Sequence, residues 1–95
     1  MPYVIAMIGQ PGTFAKLFTE NFNMPVVNEG YFLGFVRHPE DGTVMAADVL
    51  HEIMKSRQAI LFEGNLDHKE ERDSLVRFCQ KRGYKVLFVW VQTEP

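Results

Sequence analysis

Gly9-Gln10-Pro11-Gly12-Thr13 is the stretch whose residue types and spacing most directly suggest chemistry. It stands between a short apolar run, Val4 to Ile8, and a segment in which Phe14, Leu17, Phe18 and Phe22 recur at helical spacing. Strand, glycine turn and helix in that order point backbone N–H groups at whatever sits above the turn, an arrangement suited to anions. Gly9 and Gly12 serve either that purpose or only the reversal of the chain. Thr13 is suited to capping the helix it opens. Two acids end other apolar runs, Glu29 after Val26-Val27-Asn28 and Glu63 after Ala59 to Phe62. His38, His51 and His68 lie far apart and lack the spacing of metal ligands. Cys79 is the single cysteine, so no internal disulfide can form. Beside Phe78 in an apolar helical pattern, it reads as a buried core thiol.

These groups need a frame. Val26 to Asn28 reads as a short second strand, and Tyr31 to Val36 as an aromatic-rich run with room for one helical turn. That run serves as core or apolar cover, or as an acceptor pocket or partner surface. Arg37 to Gly42 has the composition of a loop. Ala46, Ala47, Leu50, Ile53 and Met54 predict a helix over Thr43 to Arg57. Ala59 to Phe62 predicts a third buried strand. Asp67, with Glu70 three positions on, predicts the capped start of a helix that buries Leu75, Val76, Phe78 and Cys79 and closes at Gly83. Lys85 to Val91 predicts the fourth strand, with Trp90 in the core. Strands alternating with helices imply parallel β-α-β units in an α/β fold.

Ninety-five residues suffice for one small domain, and nothing marks a linker or a repeat, so residues 1–95 read as a single domain. A composition 46% hydrophobic, with eight Phe, can build a packed core. The net charge of −2 offers no footprint for nucleic acid or an anionic membrane, though small anions stay possible. No apolar run reaches the roughly 18 residues needed to span a bilayer. The N-terminus lacks the basic and cleavage regions of a signal peptide, so a cytoplasmic protein is the expectation.

The first loop resembles the phosphate-binding loop of P-loop kinases, G-x-x-x-x-G-K-S/T, in its G-x-P-G style. Gly-Gln-Pro-Gly and Thr-Phe-Ala-Lys-Leu-Phe read like its two halves with about four residues, of the Ser-Gly-Lys-Ser kind, removed. The phosphate lysine is therefore missing. Lys16 lies about one turn inside the helix, several ångströms from its N-terminus. Across the whole chain the element order is similar to the N-terminal portion of the polynucleotide-kinase and zeta-toxin type of P-loop kinase. Ile60 to Leu66, Arg72, Gly83-Tyr84 and Val91 to Pro95 carry that similarity.

The resemblance implies a three-layer sandwich whose parallel sheet has the order 2-3-1-4. It implies ATP and Mg²⁺ as cofactors, with Gly9, Gln10, Pro11, Gly12 and Thr13 at the nucleotide phosphates. Thr13 and Glu63 would face the metal, and Glu63 would stand as a Walker-B-like carboxylate. The acceptor-site Asp of the family has no clean counterpart, so a base role falls to Glu29. Arg72 either meets a carboxylate such as Glu63 or lies on the surface. The family's arginine-bearing lid would lie beyond Pro95. The expected function is a degenerate or truncated ATP-dependent kinase core with at most weak nucleotide or phosphate binding and no useful turnover. The rival readings are a non-enzymatic module associating with itself or a partner through an apolar loop or open sheet edge, and a shortened form, natural or engineered.

Overall fold

The computed structural model describes residues 2–9, 23–64 and 66–91. Its strands are β1 (Tyr3–Gly9), β2 (Val26–Asn28), β3 (Ile60–Glu63) and β4 (Lys85–Val91). Its helices are α1 (Glu29–Leu33), α2 (Pro39–Met54) and α3 (Lys69–Gln80). All strand pairs are parallel, and the order is β2-β3-β1-β4, as expected. The fold is α/β, with the strand order that the resemblance implies. The helix expected to open at Thr13 lies outside the described residues, as do Gln10, Pro11, Gly12 and Thr13 themselves.

Burial explains the order. β3 is buried along its whole length, and β1 has strands on both sides, so both read as nearly continuous apolar runs. One face of the sheet, with Val4, Ala6, Ile8, Ile60 and Phe62, packs against Ala46, Leu50 and Met54 of α2 and Leu75 and Cys79 of α3. The other face gathers Met7 and Leu61, with Ile5, Met24 and Val89 beside them. Among the described strands, β2 and β4 are the outer two. Trp90 accordingly lies 61% exposed on β4 and not in the core, the Arg72 guanidinium 5.5 Å above its ring.

The helix boundaries differ from expectation for local physical reasons. α2 begins at Pro39, inside the segment that reads as a loop, and ends at Met54, short of Arg57. Proline at the first turn loses no hydrogen bond, and Glu40 and Asp41 suit the positive end of the helix. Gly42, the loop-like residue, is where α1 packs on α2: a Cβ there would lie 2.7 Å from Leu33 Cδ2. α3 is capped one residue later than expected, with the Glu71 carboxylate accepting the His68 N–H at 3.2 Å in place of the Asp67–Glu70 pair. The turns entering β3 and β4 are tied together. The Arg57 guanidinium donates to the carbonyls of Arg82 at 2.9 Å and Gly83 at 3.3 Å, and lies over the Tyr84 ring. Tyr84 is buried, and its hydroxyl donates to the Gln58 carbonyl at 2.7 Å. Gly83 has φ +77°, a conformation that suits glycine and closes the turn after α3.

Candidate functional site

β1, β2 and β3 end side by side, because Glu63 is in register with Met7 of β1 and Asn28 of β2. Gly9 ends β1 two residues beyond Met7. Parallel strands present their C-terminal ends together, and open α/β sheets bind ligands there.

Glu63 is the one charged side chain buried among the described residues, at 3% exposure. Alternation along β3 turns it to the side of Leu61 and Met7. Its Oε2 accepts a hydrogen bond from Asn28 Nδ2 at 3.1 Å. Its Oε1 is buried and has no hydrogen-bond partner among the described residues. An unmatched buried carboxylate oxygen is costly, which makes it a ready acceptor for a cation or a proton donor. A hard oxygen donor of this kind fits Mg²⁺.

Asn28 is the residue that reasoning from sequence missed. It stands at the N-cap of α1, where its residue type normally caps a helix, yet its side chain makes no capping bond. Its amide holds Glu63 instead. The available signal was an asparagine ending a strand that can pair beside another strand ending in an acid.

Glu29 takes a different direction. It opens α1 and lines a cavity of about 450 Å³ on the opposite side of the sheet, over Leu50, Phe62, Leu66 and Leu75. Gly64 brings the β3 exit close to it, since a Cβ there would lie 3.4 Å from Glu29 Cβ. The fold thus joins Glu63 to Asn28, while Glu29 lines the cavity on the other side of the sheet. Arg72 follows neither expectation. It is half-buried, and its Nη1 donates to the carbonyls of Leu66 at 2.9 Å and Asp67 at 3.0 Å, fastening the segment after β3. Cys79 is buried as expected, and burial pushes its thiol up to about 12 against the pull of Arg82. Of the aromatic run, Tyr31 and Phe35 are exposed at 65% and 68%, while Phe32 packs against the core.

No described helix is long and apolar enough to cross a membrane. No curated protein is significantly similar to the chain. Among solved structures, a protein assigned as a kinase, from Chloroflexus aurantiacus, superposes with a TM-score of 0.77 at 13% identity. The match covers 94% of this chain and 57% of that one. A structure from the PezAT chromosomal toxin–antitoxin system of Streptococcus pneumoniae superposes with a TM-score of 0.72 at 17% identity. That match covers 98% of this chain and 47% of the other, so the present chain spans about half the length of the structures it resembles. At these identities the likeness establishes the fold. Residues 36–95 also match the family model described as Zeta toxin, and since they make up more than half of the chain, it belongs to the zeta toxin family.

Proposed function

We propose that this chain is the core of an ATP-dependent P-loop kinase that retains a cation-binding carboxylate and weak phosphate binding but has lost useful turnover. The observation that carries the reading is Glu63. A carboxylate is kept buried at the C-terminal end of a central strand, with one oxygen held by Asn28 and the other left without a partner among the described residues. In a purely structural core, replacing such a group by a neutral one would be the more stable solution.

Glu63 and Thr13 would hold Mg²⁺, and Gly9, Gln10, Gly12 and Thr13 would present N–H groups to the nucleotide phosphates, with Pro11, which has no N–H, setting the turn between them. The ion, when bound, neutralises phosphate charge. Asn28 orients the Glu63 carboxylate and keeps its second oxygen available. Glu29, on the cavity side of the sheet, is the candidate to take the proton of an acceptor hydroxyl. The weak step is the phosphate contact. Without a lysine in the loop, a charge-assisted contact worth on the order of 1.5–3 kcal/mol is gone.

Calorimetric titration with Mg-ATP and then with inorganic phosphate tests the reading. Saturable binding that weakens in Gly9→Val and in Glu63→Gln is expected. No binding up to millimolar ligand would reduce the loop to a turn. Phosphotransfer from Mg-ATP above a no-protein control would overturn the loss of turnover.

The exposed outer strand favours a second reading, self-association. On β4, Leu87 and Trp90 are 51% and 61% exposed, and an edge with no neighbour among the described strands invites pairing with a second chain. Light scattering separates the two readings. A dimer that dissociates in Trp90→Lys supports the edge as an interface, and a monomer at high concentration removes it.

A further inference from the structure

Two neighbours can use the side chain of Asn28, and in this structure it serves one of them. As the residue before α1 it has the extended backbone of a helix N-cap, φ −111° and ψ 107°. Its residue type normally accepts a bond there from the first N–H groups of the helix. No such bond is made. Nδ2 donates instead to Glu63 Oε2 at 3.1 Å. Oδ1 nevertheless stays beside α1, since a Cβ at Gly30 would lie 3.2 Å from it. Because the backbone already suits a cap, a turn of the side chain alone separates the two roles.

α1 is the element that stands to gain. It has five residues and buries none of them, far below the length at which a helix holds by itself. The first N–H groups of a helix have no partner within it. Its order therefore depends on its cap and on the packing of Leu33 against Gly42. Glu63 has the stronger claim on Asn28 while its carboxylate is empty. It is buried, its Oε1 has no partner among the described residues, and the Asn28 amide is the donor that meets its charge. A hydrogen bond to an ionised group is roughly twice as strong as one between neutral groups, so a carboxylate whose charge is met by a cation holds that amide less firmly.

We infer that Asn28 is a positioning residue that changes partner with the state of Glu63: it holds the empty carboxylate, and it turns to cap α1 when Glu63 carries a divalent cation. This rests on the reading of Glu63 as a cation-binding group. Loading of Glu63 thereby firms the helix that opens with Glu29 and brings it to the cavity. While Glu63 is empty, the candidate base sits on a helix without its side-chain cap.

Mg²⁺ alone, added to the intact chain without nucleotide, tests the inference. Nuclear magnetic resonance follows exchange with water at the Asn28 side-chain amide and at the backbone amides of Gly30 and Tyr31. Metal affinity is measured separately, by electron paramagnetic resonance of Mn²⁺. At a Mg²⁺ concentration that displaces Mn²⁺, Gly30 and Tyr31 should exchange about fivefold more slowly, the scale of one capping bond. The Asn28 side-chain amide should exchange faster, and a purely structural asparagine would show no such opposite movement. In Asn28→Ser, whose hydroxyl caps as well as an asparagine but reaches less far, Gly30 and Tyr31 should be slow from the start and indifferent to Mg²⁺. In Asn28→Ala they should be fast and equally indifferent. Should either variant fail to fold, the opposite movement in the unaltered chain still decides. Slowing of both sets together, no change in either, or a Mg²⁺ response kept in Asn28→Ala overturns the inference and leaves Glu63 a cation-binding group. Absence of Mn²⁺ binding overturns it together with that reading of Glu63.

Discussion

The two ends of the sheet treat polar side chains in opposite ways. Where the chain enters β3 and β4, Tyr84 and Arg57 have partners for their donors: the Tyr84 hydroxyl on Gln58, and the Arg57 guanidinium on Arg82 and Gly83. Where the chain leaves β2 and β3, Asn28 makes no capping bond with its side chain and holds Glu63, whose other oxygen has no described partner. The first end is built for stability. The second tolerates a local cost, which is the pattern expected of a site that a ligand completes.

Mutations sharpen this contrast, because the two ends should respond with opposite sign. Tyr84→Ala removes a fully buried ring and should cost about 3–5 kcal/mol, measured by urea denaturation. A loss below about 1 kcal/mol would mean the entry end is not the stable one. Gly83→Ala forces a side chain into φ +77° and 3.2 Å from Arg57 Nη1, and should cost about 1–2 kcal/mol. Glu63→Gln at the exit end should raise stability, by about 1 kcal/mol, while Mn²⁺ binding followed by electron paramagnetic resonance falls about tenfold. Destabilisation with unchanged Mn²⁺ affinity would make Glu63 a structural group and erase the contrast.

The smallest effect concerns Cys79. Its thiol titrates near 9.0 ordinarily and at about 12 in the folded chain, so folding favours the protonated form. The contribution is complete below the unfolded value and is lost as the pH rises toward the folded one. From pH 8 to pH 9 the loss amounts to about 0.4 kcal/mol. Cys79→Ala should lack this part of the alkaline dependence, and an identical slope in both proteins would assign it elsewhere.

Much of the frame is legible in local pattern. β2 and β4 coincide with the runs read from sequence, and β3 is displaced by a single residue. The buried faces of α2 and α3 follow the spacing of Ala46, Leu50 and Met54 and of Leu75 and Cys79. Such periodicity survives because each side chain's burial depends on the repeat of its own element. The strand order came from family resemblance, and the fold agrees with it.

The candidate site was less legible. Glu63 at a strand end is visible in sequence, but its burial depends on the strands to either side. Asn28 lies 35 positions away, and only the parallel register of β2 on β3 brings its amide to that carboxylate. The start of α2 was hidden because Gly42 reads as loop until Leu33 is seen packed against it. The cap of α3 was ambiguous between two frames of the same motif, Asp67 with Glu70 and His68 with Glu71. Trp90 has the apolar character of a core residue, and its exposure follows from the outer place of β4 among the described strands.

By itself the sequence determined the alternation of strands and helices and the apolar stripes, since these depend on neighbours along the chain. Only the tertiary structure decided which strand lies outermost, which amide meets Glu63, and that Glu29 faces a groove on the opposite side. Those outcomes depend on contacts between residues far apart in the chain, which no local period encodes.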